Sequence, residues 1–267
     1  MTLTEAIAAM TAAVQSILGK DFLSGFLYGS AVLDDFQSGW SDIDVLFLSR
    51  NALTERQAQA LVSLRQDMLK KAPKNPYFRS FEGAVACWDE FRTGNCRRVV
   101  YWGTRGQRIT DRYTLDPFSR TQLLTDGRLL AGKDLRGQMV PPTMEELVSA
   151  IRFHHDTIRQ YAVQTDGSLY ACGWLLDIAR CIYTLRFGKV IAKTRAGEWA
   201  LENRLCPDET ALCRTLQVRR APLLFRDDPE TKQWLSSLGP TVQAFADVLE
   251  KELASVQEGY ALPGGTG

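Results

Sequence analysis

The sequence predicts an α+β chain, with a mixed sheet and helices in its first half and an all-helical second half. Three observations predict it. Before residue 103, apolar runs of strand length alternate with amphipathic helical patterns. Beyond Pro141-Pro142 only helical periodicity recurs. Between them falls the stretch YGSAVLDDFQSGWSDIDVLFL, residues 28–48, where Asp42 and Asp44 stand as a strand enters the core.

The elements follow in order. Thr2 and Glu5 form a capping box, and Leu3, Ile7, Met10, Val14 and Leu18 make one apolar stripe, so the chain opens on a helix. This segment lacks the basic lead of a signal peptide. Residues 22–28 read as a buried strand ending at Gly29, and residues 42–48 as a second. Leu53, Leu61, Leu64 and Met68 mark a helix over 53–70. Residues 80–87, SFEGAVAC, read as a third strand and 97–102, RRVVYW, as a fourth. A second capping box, Thr143 with Glu146, opens the helical half. Helices are expected at 144–163, 169–186, 194–204, 208–220 and 230–256, the last interrupted at Gly239-Pro240. Two domains are expected, 1–140 and 141–267. The glycine-rich tail ALPGGTG is expected to fray.

Bulk properties narrow the function. The 267 residues are 45% hydrophobic and 24% charged, the composition of an ordinary globular protein. A net charge of +1 gives no footprint for long nucleic acid. The basic pairs Arg97-Arg98 and Arg219-Arg220 read as solvated surface. No apolar run approaches the roughly 20 residues of a membrane span. Six cysteines without a close pair, and only two histidines, argue against zinc and for reduced, mostly buried thiols in a cytoplasmic protein. His154 and His155 are adjacent on a helix and point about 100° apart, so they cannot readily share one metal. Trp88, Asp89 and Glu90 read as a solvated loop, as do Asp34 and Asp35.

Asp42 and Asp44 carry the chemistry. Residues two apart on a strand share a face, and two like charges side by side ask for a cation. Carboxylates suit Mg²⁺, which takes one or two of them together with substrate phosphates. Gly29 allows close backbone approach, and Ser30 offers a hydroxyl and an N–H to phosphate oxygens. These parts read as a triphosphate–metal site. Glu82, in an otherwise apolar strand, is a third carboxylate that needs a cation or a proton.

Gly29-Ser30 followed by Ser41-Asp42-Ile43-Asp44 resembles the nucleotidyltransferase superfamily that includes DNA polymerase β. The nearer resemblance is to the aminoglycoside adenylyltransferases that modify streptomycin and spectinomycin, and it covers nearly the whole chain. It rests on LYGSAV and SDID, on the spacing from Asp44 to Glu82, and on IARCIYTLRFGKVIAKTRAGEWALENRL, residues 178–205. The resemblance implies that residues 1–140 form a nucleotidyltransferase domain and that the helical domain completes the nucleotide and acceptor sites. It implies ATP as co-substrate and Mg²⁺ on Asp42, Asp44 and Glu82, with Glu82 the catalytic base. Gly29, Ser30, Ser41, Asp116, Arg180 and Lys193 fall on the nucleotide side. On the acceptor side the streptomycin-contacting aspartate falls on Asp166, the tryptophan position on Tyr161, and a further acidic position on Tyr170. Asp166 also reads as a turn residue before a helix capped by Ser168.

The resemblance thus implies transfer of a nucleoside monophosphate, AMP from Mg·ATP, to a hydroxyl of a small cationic acceptor, with release of pyrophosphate by a monomeric enzyme. A nucleotidyltransferase acting on a protein or an unknown metabolite, and a non-catalytic nucleotide-binding module, are the alternative readings.

Overall fold

The computed structural model describes residues 1–103 and 106–260; the glycine-rich tail lies outside the described residues. The chain divides into two compact units, Met1–Pro141 and Pro142–Gly267.

The first unit is built on a six-stranded mixed sheet in the order β5-β4-β3-β2-β1-β6. Helix α1 (Leu3–Leu18) has the expected capping box, and its stripe is buried from Ile7 to Leu18, with Leu3 half-buried. The next elements are β1 (Phe22–Tyr28), β2 (Ile43–Ser49), α2 (Glu55–Lys71) and β3 (Phe81–Cys87), each within two residues of expectation. β1 and β2 are antiparallel, whereas α2 carries the chain across so that β2 and β3 run parallel. β4 (Val99–Gly103) returns antiparallel to β3, and β5 (Gly106–Thr110) pairs with β4.

Alternation along the strands feeds two cores. Leu27, Ile43, Val45, Phe47, Phe81 and Val85 join the side chains of α1 and α2. Phe26, Tyr28, Leu46, Leu48, Ala84 and Ala86 form the other core. Asp44 and Glu82 share the parity of this second set.

Several elements went unread. β5, GQRIT, carries a single large apolar residue. α4 (Pro117–Thr125) buries only Phe118, Gln122 and Leu123, though Asp116-Pro117 is a legible start, an N-cap followed by proline at the first helical position. β6 (Arg128–Gly132) lies at the sheet edge against β1. Residues 88–90 are not a solvated loop. They begin α3 (Trp88–Thr93), in which Trp88 is buried and Glu90 accepts from the Arg97 guanidinium at 2.8 Å. Asp35 is also buried, its N–H bonded to the Ser30 carbonyl at 3.1 Å.

The second unit consists, among the described residues, of helices alone: α5 (Met144–Tyr161), α6 (Tyr170–Phe187), α7 (Lys193–Glu202), α8 (Glu209–Arg220), α9 (Pro222–Phe225), α10 (Pro229–Ser236) and α11 (Gly239–Tyr260). The Thr143–Glu146 capping box opens α5. α6 is central: Leu175, Leu176, Ile178, Ala179 and Ile182 are fully buried, and α5, α7, α8, α10 and α11 all pack on it. His155 is structural, buried and accepting from the Arg159 guanidinium at 3.2 Å. Arg219 is buried rather than solvated and donates to the Thr194 hydroxyl at 3.2 Å. The six cysteines are free thiols, five of them buried. Among the described residues no helix is long and apolar enough to cross a membrane.

Candidate active site

The strand register assembles the site. Tyr28 of β1 pairs with Asp44 of β2, and Asp44 pairs with Glu82 of β3. Paired residues on neighbouring strands lie about 5 Å apart, so Tyr28, Asp44 and Glu82 form a row across one face. Glu82 sits on an interior strand, not on an edge facing water.

The turn after β1 supports this row. Gly29 has φ of 70°, a conformation that favours glycine. A methyl in place of its hydrogen would lie 2.0 Å from Asp44 Oδ2. The glycine therefore makes room for the carboxylate itself. Ser30 donates through its hydroxyl to the Asp42 carbonyl at 3.5 Å, tying the turn to the start of β2. Ser41 is buried, and its hydroxyl accepts the Gln37 N–H at 3.0 Å, which closes the loop before Asp42.

Asp44 and Glu82 open into a cavity of about 370 Å³ in the first unit. Asp116 lines it too, capping α4 by accepting the Ser119 N–H at 3.1 Å. So do Tyr28, Tyr101, Tyr113 and Arg108. Burial pushes all three phenols above their ordinary value, Tyr101 to about 12 with Glu82 adding to the shift. They are therefore protonated hydrogen-bond donors at neutral pH. Tyr28 and Tyr113 share a hydrogen bond. The Tyr101 hydroxyl donates to Glu82 Oε1 at 2.9 Å.

Asp42 precedes β2 and is not among the residues lining this cavity. Among the described residues no three His, Cys, Asp or Glu side chains cluster closely enough to hold a metal ion. Glu82 is engaged by the Tyr101 hydroxyl. The donor chemistry nonetheless fits Mg²⁺, a hard cation served by one or two carboxylates and completed by water and phosphate oxygens.

Sequence reading missed the tyrosines: Tyr28 and Tyr101 stand in strands, where aromatic residues look like core, and Tyr113 in the loop before α4. It also missed Arg65 on α2. This guanidinium is buried and donates to the carbonyls of Phe81, at 2.7 Å, and Gly103, at 3.1 Å. It braces the strands that carry Glu82 and Tyr101.

In the helical unit, Arg180 of α6 and Lys193 at the start of α7 meet on one carboxylate, Asp177. Arg180 Nη2 lies 2.9 Å and Lys193 Nζ 3.0 Å from its oxygens. Burial acts to raise the Asp177 carboxyl, but Lys193, Arg180 and His154 outweigh it and hold it at about 2. Burial lowers the Lys193 ammonium from the ordinary lysine value, with Asp177 opposing. Asp177 stands one helical turn before Arg180, a spacing that would have flagged it. Tyr161 ends α5 and Tyr170 begins α6, 64% and 66% exposed. Asp166 accepts the N–H and hydroxyl of Ser168, the turn geometry read in the sequence.

The glycine–serine turn and the paired carboxylates, on which the sequence resemblance to nucleotidyltransferases rests, lie together on this sheet. Residues 139–252 match the family of the aminoglycoside adenylyltransferase C-terminal domain. The match spans the helical unit, less than half of the chain, and says what that unit is similar to. Among solved structures it is similar to the spectinomycin adenyltransferase AAD(9) from Enterococcus faecialis, determined with ATP and spectinomycin. That likeness has a TM-score of 0.65 at 15% identity and covers 93% of this chain and 100% of the other. At that identity it shows the fold. A match to a Shewanella oneidensis structure of a tri-AMPylated HEPN toxin with its MNT antitoxin covers 59% of this chain and 92% of the other at 11% identity. Its TM-score of 0.26 carries no argument. No curated protein matches the sequence significantly.

Proposed function

We propose that the protein transfers AMP from Mg·ATP to a hydroxyl of a small molecule, an aminoglycoside such as streptomycin or spectinomycin, and releases pyrophosphate. The observation that carries this reading is the row formed by Asp44 and Glu82, in register on parallel strands beside the Gly29-Ser30 turn. The family match over the helical unit supports it, and the neighbour of the same fold is known with ATP and spectinomycin.

Residues 1–140 act as the catalytic domain. Gly29 and Ser30 present backbone and hydroxyl to phosphate oxygens, with Ser41 fixing the loop between them and Asp42. Asp42, Asp44 and Glu82 would hold Mg²⁺, which when bound supplies charge neutralisation at the phosphates. Glu82 takes the proton of the acceptor hydroxyl. The acceptor oxygen forms its bond to the α-phosphorus as the bond to the β-phosphate oxygen breaks. General-base help of this kind is worth roughly 10²–10⁴-fold. Asp116 contributes to the nucleotide side, Arg180 and Lys193 bring positive charge to the phosphates, and Tyr161 and Asp166 serve the acceptor.

The test is pyrophosphate release with Mg·ATP across streptomycin, spectinomycin and other aminoglycosides. Arg108 and Arg112 also line the cavity, so the panel includes an uncharged and an anionic polyol. Activity with streptomycin or spectinomycin supports the acceptor class, and silence with every aminoglycoside overturns it. Glu82→Gln should keep Mg·ATP affinity by calorimetry and lose transfer. Unchanged affinity in both Asp42→Asn and Asp44→Asn would overturn the metal assignment.

A further inference from the structure

Glu82 has a dedicated partner. β4 runs antiparallel to β3 with Tyr101 opposite Ala84, two residues along from Glu82 on the same face. A diagonal neighbour of this kind is within reach of a long side chain. The Tyr101 hydroxyl closes the distance and donates to Glu82 Oε1 at 2.9 Å.

The ring that carries this hydroxyl is itself fixed. Gly103, two residues further along β4, lies directly against it. A methyl at that position would sit 2.4 Å from Tyr101 Cε1 and 3.0 Å from the hydroxyl oxygen. Arg108, the direct partner of Tyr101 on β5, places its guanidinium carbon 4.6 Å from the ring centroid, a cation–π contact. The strands bearing Glu82 and Tyr101 are in turn joined by the two carbonyl bonds of Arg65. Three neighbours thus determine where one phenolic hydroxyl points, and it points at the carboxylate.

We propose that Tyr101 is the positioning residue of Glu82. It occupies Oε1 and holds the carboxylate in one rotamer, which leaves Oε2 to meet the acceptor hydroxyl. Freezing a catalytic side chain from outside the reacting atoms is how supporting residues contribute to rate. The inference rests on the proposed role of Glu82 as base, and it adds a residue to which the sequence resemblance assigns nothing.

The experiment is a double-mutant cycle on Tyr101→Phe and Glu82→Gln, read together with crystal structures. Tyr101→Phe should lower kcat by about 10–100-fold, the usual effect of losing such a supporting contact, and leave the KM for ATP unchanged. In the Glu82→Gln background it should have no further effect on the residual rate. Equal losses in both backgrounds would show that Tyr101 acts elsewhere and overturn the proposal. The crystal structures need no acceptor. Glu82 should occupy one rotamer in the wild type and several in Tyr101→Phe; an unchanged single rotamer without the hydroxyl would also overturn it. Should the wild type transfer AMP to no acceptor, the functional reading falls and the rotamer comparison still decides the positioning claim. Arg108→Gln keeps the hydroxyl and loosens the ring, so a smaller loss of kcat in the same direction is expected if Tyr101→Phe does not fold.

Discussion

Asp44 and Glu82 stand opposite one another in the parallel register of β2 and β3. Two carboxylates so placed repel, and the surroundings offset that repulsion in two ways. The Tyr101 hydroxyl bonds Glu82. From α2, the Arg65 guanidinium adds a buried positive charge that is coupled electrostatically to Glu82 and Asp42. Burial lowers the Arg65 pKa, whereas these two acids raise it.

Arg65 is therefore expected to matter to stability more than its place on a mostly polar helix suggests. Replacing it with methionine keeps the packing volume but leaves the Phe81 and Gly103 carbonyls without their donors. Bonds from a charged donor are worth about 1.5–3 kcal/mol each, so Arg65→Met should cost about 3 kcal/mol. Urea denaturation measures this directly, and a midpoint equal to that of the wild type would contradict it.

Gly29 is expected to tolerate no side chain. Its φ of 70° alone disfavours alanine by about 1–3 kcal/mol. The methyl would also displace the Asp44 carboxylate, which it would approach to 2.0 Å. Gly29→Ala should thus lower both the melting temperature and the affinity for Mg·ATP. The second effect separates this site from an ordinary turn: a variant that melts lower yet binds Mg·ATP as the wild type does would show that Asp44 is not displaced.

Much of this arrangement was legible in the sequence, for identifiable reasons. β1, β2 and β3 are continuous apolar runs because they are buried on both faces, and Asp44 and Glu82 stood out as charges within them. The capping boxes at Thr2 and Thr143 announced two helices through local hydrogen bonding alone. The elements that escaped are those whose identity depends on partners. β5 and β6 lie at the sheet edges and need little apolar surface. α4 presents a weak stripe. Tyr101 and Arg65 escaped for the same reason, since nothing local says that a strand tyrosine aims at a carboxylate or that a helical arginine is buried. Arg180 and Lys193 are legible as cations, and the acid that holds them, Asp177, is legible only toward Arg180, one helical turn away; its bond to Lys193 depends on how α6 and α7 pack.

Asp177 provides a pH test of that cluster. Its carboxyl lies at about 2 in the folded chain against an ordinary value of 3.8. A carboxyl depressed by folding stabilises the protein above its unfolded pKa, and that contribution disappears as pH falls through the folded value. The window is therefore pH 4 down to 2, and the difference corresponds to about 2 kcal/mol. Asp177→Asn removes the charge at every pH and leaves Arg180 and Lys193 facing a neutral amide. At pH 7 it should be less stable than the wild type by about that amount. The gap should hold down to pH 5, narrow between pH 4 and 2, and close once the wild-type carboxyl is itself protonated. Urea unfolding of both chains at pH 7, 5, 3 and 2 measures the gap. A difference that stayed constant across this series would mean that the loss comes from packing, and that the charges on Lys193 and Arg180 do not stabilise the Asp177 carboxylate.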